Sequence, residues 1–329
     1  MVRGLASLGF WRGLLWVLEM RSPHEWIIKA LLQKSISKGR LLPLYHRLQR
    51  THGRLREFHP KARSEYAAKL YADLLPWSSL RGANMVEIGT GWVPVLPLIL
   101  HVMGAGRIDT YDLSRHLQKG LTVASLPLLR QCLPDVARRT GLNVEKLEGG
   151  LQELIVKATT ADRILAEANI SYHAPANARA TRHKDKSIDI VYSNLVLEHV
   201  TPRALDKILC ESYRILRDGG FCWHNIDFSD HYAATQPHLS PINFLRYSDS
   251  FWSLVGQNDI LYQNRMRRSQ YVERFVAAGF AVVACVDHLS ERVVAELKQG
   301  FRVSAEFRNL DERDLAVTAS RFVLRKQGK

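Results

Sequence analysis

The sequence predicts an α/β fold, in which a mostly parallel sheet of seven strands carries helices on both faces. Two observations support this prediction. From Asn84 onward, short apolar segments alternate with amphipathic helical segments, and such alternation is typical of parallel sheets. A turn with two glycines, Gly89 and Gly91, directly follows the first apolar segment. Sheets of this kind bind ligands beyond the carboxyl ends of their strands, so we expect the functional site at that edge.

The residues before Asn84 are expected to be helical. In ARSEYAAKLYADLLPW, the apolar residues Tyr66, Leu70 and Leu74 recur at helical spacing. We therefore expect residues 1–83 to form a basic, helical N-terminal extension and residues 84–329 to form the α/β domain.

Seven segments have the length and the apolar content of strands. They are NMVEI (from Asn84), RIDTY (from Arg107), NISYH (from Asn169), IDIVYS (from Ile188), GFCWHNI (from Gly220), AVVACVD (from Ala281) and RFVLRK (from Arg321). Between the fourth and the fifth, RALDKILCESYRILRDGG carries an apolar helical stripe and closes with two glycines. Glycine commonly ends a helix, so this segment is predicted to be the connecting helix.

Two connections are too long to be plain loops, and we expect them to be helical insertions. Residues 117–161 separate the second and third strands, and residues 228–268 follow the fifth. Long insertions at the ligand-bearing edge often form lids or binding loops. The aromatic residues of the second insertion are Tyr232, Phe244, Tyr247, Phe251, Trp252 and Tyr262. They are expected to form either a wall of the substrate site or a separate hydrophobic cluster.

The formal net charge of +14 is concentrated near the amino terminus. Residues 1–63 contain thirteen Lys and Arg residues but three acidic residues. A basic arm of this kind favours anionic partners, whether phospholipid headgroups, nucleic acid or an acidic protein. The four cysteines are scattered without metal-ligand spacing, which argues against a disulfide framework or a metal site and indicates a reducing compartment. We therefore expect a cytoplasmic or membrane-peripheral protein.

The segment LASLGFWRGLLWVLEM, residues 5–20, is apolar but is interrupted by Arg12. It is shorter than the ~20 residues that a helix needs to cross a bilayer. The favoured interpretation is a helix that packs on the main domain. Attachment to a membrane surface is an alternative, and so is a targeting peptide, although no small-residue cleavage signature follows.

The turn VEIGTGWVP indicates the chemistry of the ligand. Gly89 and Gly91 let the backbone turn and approach a ligand closely, but Pro94 lies where a dinucleotide-binding motif has its third glycine. Glu87 would repel a pyrophosphate and attract an amine. Asp112 follows the second strand, where a carboxylate can bind both ribose hydroxyls. The pattern predicts a nucleoside with an amine and no phosphate, and S-adenosylmethionine has these features.

Three motifs, in order, resemble those of the class I S-adenosylmethionine-dependent methyltransferases. VEIGTGWV is similar to their first motif, SIDIVYSNLVLEHV to the motif of their fourth strand, and YRILRDGGFCWHNI to the segment before their fifth strand. The resemblance covers about residues 84–226. It implies a Rossmann-like, doubly wound fold with S-adenosylmethionine as the cofactor and S-adenosylhomocysteine as the product.

The resemblance also implies roles for individual residues. Glu87 would contact the methionine amine, Asp112 would hold the ribose, and Leu113 would lie beside the adenine. Asn177 stands where the family usually has an acid for the adenine amino group, and its amide oxygen can still accept that hydrogen bond. The residues implied to line the cofactor are Glu87, Gly89, Thr90, Gly91, Asp112, Leu113, Asn177, Ala178, Asn194 and Leu195.

Methyl transfer to an unactivated hydroxyl needs a base, and candidates lie at two strand ends. His199 is expected to begin the helix after the fourth strand, and Asp227 and His231 follow the fifth. An aspartate and a histidine four residues apart can act as a base and its orienting carboxylate. The alternatives are a histidine that only bonds the helix start and a solvated loop. His224, within the fifth strand, is expected to be a core residue.

The most favoured function is O-methylation of a small molecule, a sugar, or a glycan- or lipid-linked hydroxyl. SNLVLE lacks the Pro-Pro-aromatic element of adenine-methylating enzymes, and no cysteine for cytosine methylation lies near it. The segment from His224 to Asp249 resembles uncharacterised methyltransferases of polysaccharide-type biosynthetic clusters. The alternatives are an RNA methyltransferase and a non-catalytic binding or scaffold protein on the same fold.

Overall fold

The computed structural model describes residues 25–37, 60–157, 159–257 and 262–328. The apolar segment of residues 5–20 and most of the basic arm lie outside these residues, and so do their expected contacts. Within the described residues, no helix is both long enough and apolar enough to span a membrane.

One sheet contains the seven strands of the described chain. They are β1 (Met85–Ile88), β2 (Ile108–Tyr111), β3 (Ile170–His173), β4 (Ile188–Asn194), β5 (Leu216–Asp227), β6 (Phe280–Leu289) and β7 (Val317–Lys326). Their spatial order is β3-β2-β1-β4-β5-β7-β6. Strands β1 to β5 pair in parallel, whereas β7 runs antiparallel to β5. Each predicted strand segment coincides with one of these strands, so the predicted α/β fold is confirmed.

Helices cover both faces of this sheet. The helices are α1 (Glu25–Ser37), α2 (Pro60–Leu74), α3 (Val95–Val102), α4 (Lys119–Arg130), α5 (Leu133–Thr140), α6 (Val144–Lys157), α7 (Ala161–Glu167), α8 (Pro202–Ile215), α9 (Arg268–Ala277), α10 (Glu291–Lys298) and α11 (Glu312–Ala316). The first long connection is helical, because α4, α5 and α6 lie within residues 117–161. The second, residues 228–268, consists mainly of loops and short helical turns.

The chain divides into two compact units. Of the described residues, the first unit, which we call the sheet unit, comprises residues 60–157, 159–227, 268–287 and 319–328. The second unit comprises the described residues 25–37, 228–257, 262–267 and 288–318. This division differs from the expected boundary at residue 84, because α2 is part of the core of the sheet unit. Residues 288–318, from the end of β6 to the start of β7, also belong to the second unit. No feature of their sequence predicted this membership.

Helix α2 is anchored in the sheet unit by apolar packing and by one buried acid. Leu70 and Leu74 are fully buried, and each such side chain contributes about 1.5–3 kcal/mol on leaving water. Asp73 accepts hydrogen bonds from Trp223 Nε1 on β5 (2.9 Å) and from Arg321 Nε on β7 (2.8 Å). Because these strands hold α2 in place, polar residues on its first two turns have fixed positions.

The aromatic residues of the second unit form a core around Trp26 of α1, which is fully buried. The ring centroids of Tyr232, Tyr247, Phe251 and Trp252 lie 5.5, 5.0, 6.4 and 5.7 Å from that of Trp26. These side chains therefore form the separate hydrophobic cluster that was one of the two expectations for residues 228–268. Aromatic pairs at such distances add to the free energy of folding beyond the area that they bury.

Candidate functional site

The turn after β1 requires glycine at two positions for different reasons. Gly89 and Gly91 have φ angles of 81° and 74°, in the left-handed region that side chains disfavour. A Cβ atom at Gly89 would lie 2.4 Å from Cγ2 of Val196, whereas one at Gly91 would meet nothing closer than Arg63 Nη1 at 3.8 Å. The Gly89 N–H donates to Tyr111 O at 2.9 Å. The turn is thus held against the ends of both neighbouring strands.

Glu87 points into the protein from β1 and is 3% exposed. Its Oε2 accepts a hydrogen bond from the Thr90 hydroxyl at 2.8 Å. Burial raises the pKa of Glu87 to about 8, against the opposing effect of the Thr90 hydrogen bond, and the nearby Asp112 raises it further while Arg63 lowers it. A carboxyl group with this pKa ionises readily when a cation is placed beside it.

Asp112 lies directly after β2 and closes the other side of the turn. Its carboxylate accepts from the Gly91 N–H at 3.1 Å, and its side chain is largely buried. Burial raises the pKa of Asp112, although the Gly91 N–H and His116 oppose that effect. The structure therefore brings Glu87 and Asp112 to one glycine turn, as two carboxyl groups that act on each other electrostatically.

The residues expected beside the adenine lie on the loop after β3 and at the end of β2. Leu113 is 71% exposed, and Ala178 is buried. The Ala176 N–H donates to Asp112 O at 2.8 Å, so this loop is tied to the end of β2. The side-chain oxygen of Asn177 already accepts from the backbone N–H of Arg179 (3.0 Å) and from its Nε (2.9 Å). An adenine amino group would share or replace these donors.

Asn194 is the last residue of β4, beside β5, and Leu195 follows it directly. Asn194 Oδ1 accepts from Asn225 Nδ2 at 2.9 Å, and the Leu195 N–H donates to Asn225 O at 2.9 Å. Leu195 has a φ of 56°, an uncommon conformation for a branched residue. Its side chain is 37% exposed. This bend leads directly into Val196, the residue that packs on Gly89.

The expected catalytic residues of the sheet unit are His199 and Asp227. His199 does not begin the helix after β4, as its position in the motif suggested. It is the last residue of a short 3₁₀ turn (Leu197–His199), and α8 starts at Pro202, because proline suits the first helical position and Thr201 caps the helix. His199 is exposed, and Asp227, the last residue of β5, is partly buried.

His231 and Asp230 belong to the second unit. His231 is partly buried, and its backbone N–H donates to Gln263 Oε1 at 3.2 Å. Asp230 is 1% exposed and accepts from the Tyr232 N–H at 2.8 Å. Burial raises the pKa of Asp230 to about 6. His224 is a core residue, as expected: it is fully buried, it is hydrogen-bonded to the Ser193 hydroxyl (Nδ1 to Oγ, 2.8 Å), and burial lowers its pKa to about 3.

Two residues of α2, Arg63 and Tyr66, belong to this site, although the sequence analysis assigned Arg63 no role there and placed Tyr66 only among the apolar residues of the helix. Arg63 Nη1 donates to Val93 O at 3.4 Å, and the guanidinium acts electrostatically on Glu87. Burial, followed by the negative charge of Asp227, raises the pKa of Tyr66, and the nearby Asn225 side chain opposes this effect. Residues three apart lie on one helix face. The polar face of the helix that immediately precedes β1 was therefore the feature of the sequence that could have identified Arg63 and Tyr66 as site residues.

Comparison with known proteins gives one family and several structural relatives. The sequence profile of the family described as "Methyltransferase domain" matches residues 135–224. Malonyl-[acyl-carrier protein] O-methyltransferase 1 of Coxiella burnetii is 27% identical over 134 residues, which is 41% of this chain and 46% of that protein. The chain thus spans just under half the length of this curated relative.

Two solved structures are also similar to this chain. One is a putative S-adenosylmethionine-dependent methyltransferase from Listeria monocytogenes, with 12% identity, a TM-score of 0.43, and coverage of 80% of this chain and 99% of that one. The other is an S-adenosylmethionine-dependent methyltransferase from Mesorhizobium loti, with 14% identity, a TM-score of 0.44, and coverage of 80% and 100%.

Proposed function

We propose that this chain, which belongs to the class I S-adenosylmethionine-dependent methyltransferases, methylates a hydroxyl group of a small molecule, a sugar, or a glycan- or lipid-linked intermediate. The observation that carries this proposal is the pair of carboxyl groups, Glu87 and Asp112, which both bond to one glycine turn. The name of the Coxiella relative gives oxygen as the methylated atom, which favours an oxygen acceptor here as well.

The residues of the turn fit S-adenosylmethionine better than a phosphate-bearing cofactor. A phosphate group would meet two carboxyl groups, and the Gly91 N–H that it would need is already bound to Asp112. An ammonium group beside Glu87 would remove the cost of ionising that buried acid. Asp112 would bind the ribose hydroxyls, and Arg63 would pair with the carboxylate of the methionine portion.

Bound S-adenosylmethionine supplies a methyl group on a positively charged sulfur. The protein contributes orientation and proton transfer. Asn194 and Leu195 would hold the methionine portion at the end of β4, and the turn after β1 would hold the nucleoside. His199 or Asp227 takes the proton of the acceptor hydroxyl. These side chains follow the carboxyl ends of β4 and β5.

Calorimetry with S-adenosylmethionine tests the cofactor assignment. Asp112→Asn is expected to weaken binding about 10- to 150-fold, since a hydrogen bond to a charged group contributes about 1.5–3 kcal/mol. The matched control is Asp218→Asn, which removes an exposed carboxylate that pairs with Lys186 at 2.7 Å. Equal affinity of the Asp112→Asn variant and the wild type would refute the ribose assignment. Wild-type protein that gives no heat and no competition by S-adenosylhomocysteine would indicate a scaffold protein.

Transfer of a labelled methyl group to a panel of hydroxylated metabolites, sugars and lipid-linked glycans tests the acceptor class. RNA is included in the panel because of the basic arm. Label that enters RNA and no hydroxylated metabolite would refute the proposal. RNA binding that falls steeply with salt would point in the same direction, since phosphate contacts release counterions.

We also propose that the basic N-terminal arm contacts an anionic membrane surface. Thirteen cationic side chains lie within residues 1–63. On α1, Ile28 and Leu31 are 38% and 46% exposed. Apolar side chains next to cationic ones suit the interface of an anionic bilayer. Sedimentation with phosphatidylserine vesicles at low and high salt tests this, with neutral vesicles as the control. Equal binding to both kinds of vesicle, or none, would refute it.

A further inference from the structure

A row of polar side chains crosses five neighbouring strands of the sheet. Glu87 of β1 is in register with Thr110 of β2 and with Tyr192 of β4. Thr110 is in register with Tyr172 of β3, and Tyr192 is in register with Trp223 of β5. Paired residues of parallel strands project from the same face of the sheet, and adjacent strands lie about 4.8 Å apart. We call these five side chains the polar row, and Glu87 lies at its centre.

The two outer members of the polar row have hydrogen-bond partners. The Tyr172 hydroxyl accepts from the His116 N–H at 3.1 Å, so it holds the loop that follows Asp112. Trp223 Nε1 donates to Asp73 Oδ2 of α2 at 2.9 Å. Contacts with the rest of the sheet unit therefore account for a polar residue at each end of the row.

The two members beside Glu87 differ from the outer ones. Thr110 and Tyr192 are fully buried, and neither hydroxyl makes a hydrogen bond within the described residues. Burial of a hydroxyl without a partner is costly, and such groups are rare in native proteins. Valine and phenylalanine have nearly the same shapes without the hydroxyl, so packing alone does not explain these two residues. Their positions on both sides of one carboxyl group indicate a role that involves Glu87.

Glu87 needs more hydrogen-bond donors when it ionises. Burial raises its pKa to about 8, so it carries a proton at neutral pH in the free protein, and an ammonium group beside it would ionise it. A carboxylate can accept about four hydrogen bonds, and the Thr90 hydroxyl supplies one at 2.8 Å. The Tyr192 hydroxyl is within electrostatic reach, because burial, followed by the negative charge of Glu87, raises the pKa of Tyr192.

We propose that the hydroxyls of Thr110 and Tyr192 donate hydrogen bonds to the ionised carboxylate of Glu87 and thereby set the affinity of the site for the amine of the cofactor. This inference rests on the proposed function. Both are positioning residues, since they act through Glu87 and not on the ligand. A hydroxyl proton turns about its C–O bond, and a carboxyl group turns about its last side-chain bond, so these contacts form without a movement of the strands.

Infrared titration of the ligand-free protein tests these donors without any cofactor. The band of protonated Glu87 is identified by its loss in Glu87→Gln, and its midpoint is followed with pH. In Tyr192→Phe and in Thr110→Val the midpoint should rise by about one pH unit, because the ionised form loses a charge-assisted hydrogen bond. Asp112 and Arg63, the charged groups that also act on Glu87, are the same in all these proteins, so the difference reports the hydroxyls.

Two matched variants remove a hydroxyl elsewhere in the sheet unit. Tyr213→Phe removes the hydroxyl that donates to Gln327 O at 2.7 Å, and Thr140→Val removes the one that donates to Val136 O at 2.8 Å. Both should leave the midpoint of Glu87 unchanged. A midpoint that does not rise in Tyr192→Phe, or in Thr110→Val, would overturn the role of that residue.

Calorimetry with S-adenosylhomocysteine tests the effect on the ligand. At about pH 6.5, Tyr192→Phe and Thr110→Val should each bind it at least about tenfold more weakly than the wild type, because binding must ionise Glu87. At about pH 9.5 the affinities should be nearly equal, since Glu87 is then ionised before the ligand binds. An equal loss at both pH values would mean that the hydroxyl contacts the ligand itself, and would overturn the proposal.

Two further measurements separate this role from a structural one. Thr110→Ser keeps a hydroxyl and should retain most of the wild-type affinity. Tyr192→Phe removes only a buried hydroxyl without a partner, so the ligand-free protein should melt no lower than the wild type at about pH 6.5; a lower melting temperature would indicate a structural hydroxyl. If the wild type does not bind S-adenosylhomocysteine, the proposed function fails, whereas the infrared titration still decides whether the hydroxyls donate to Glu87.

Discussion

The contact between Gly89 and Val196 allows a quantitative test of how the glycine turn is held. In Gly89→Ala the new methyl group would lie 2.4 and 2.8 Å from the two γ-carbons of Val196. Real Cβ atoms do not approach so closely, so the turn or the segment after β4 must move. The φ of 81° adds strain of about 1–2 kcal/mol for a residue with a side chain, and overpacking adds about 1–3 kcal/mol.

We therefore expect Gly89→Ala to lower the free energy of unfolding of the sheet unit by about 2–5 kcal/mol. Gly91→Ala is the matched control, because its φ of 74° imposes similar strain while its Cβ would meet only Arg63 at 3.8 Å. It should cost about 1–2 kcal/mol. Urea unfolding followed by circular dichroism measures both losses, and calorimetry measures the accompanying loss of cofactor affinity.

A second substitution separates the clash from the backbone strain. Val196→Ala removes both γ-carbons and should recover about 1–3 kcal/mol in the Gly89→Ala background, as a favourable coupling in a double-mutant cycle. Equal losses for Gly89→Ala and Gly91→Ala, together with no recovery from Val196→Ala, would show that the packing against β4 does not restrict this turn.

Three further predictions follow from buried groups. Glu87 has a raised pKa of about 8, so its contribution to stability is complete below its ordinary pKa and is lost as the pH rises through about 8. Glu87→Gln should abolish this loss of stability when unfolding is measured as a function of pH. It should also abolish the tightening of S-adenosylmethionine binding between about pH 6 and 8. A pH dependence of stability and of binding that Glu87→Gln leaves unchanged would refute the assignment of both effects to Glu87. Arg63→Met should weaken S-adenosylmethionine binding at least about tenfold in calorimetry. Lys61→Met, which changes an exposed residue on the same helix, is the control and should leave the affinity unchanged. Equal affinities of the two variants would exclude Arg63 from the site. Trp26→Ala should destabilise the second unit by about 3–5 kcal/mol in thermal unfolding, while Trp77→Ala, at a site 43% exposed, should cost little; similar losses would contradict the core role of Trp26.

The sequence by itself determined the strands, the glycine turn and the two acids beside it. These features are local: strand periodicity extends over a few residues, and Glu87, Gly89 and Gly91 lie within five residues of one another. Because parallel strands end at one edge of a sheet, the order of these short motifs already indicates which side chains meet. The positions of Glu87 and Asp112 at one turn therefore follow from patterns that are visible without coordinates.

Tertiary structure alone decided the features that depend on contacts between distant residues. Helix α2 enters the site because Asp73 bonds Arg321, 248 residues away, and no local pattern encodes that contact. The same reason explains the place of residues 288–318 in the second unit.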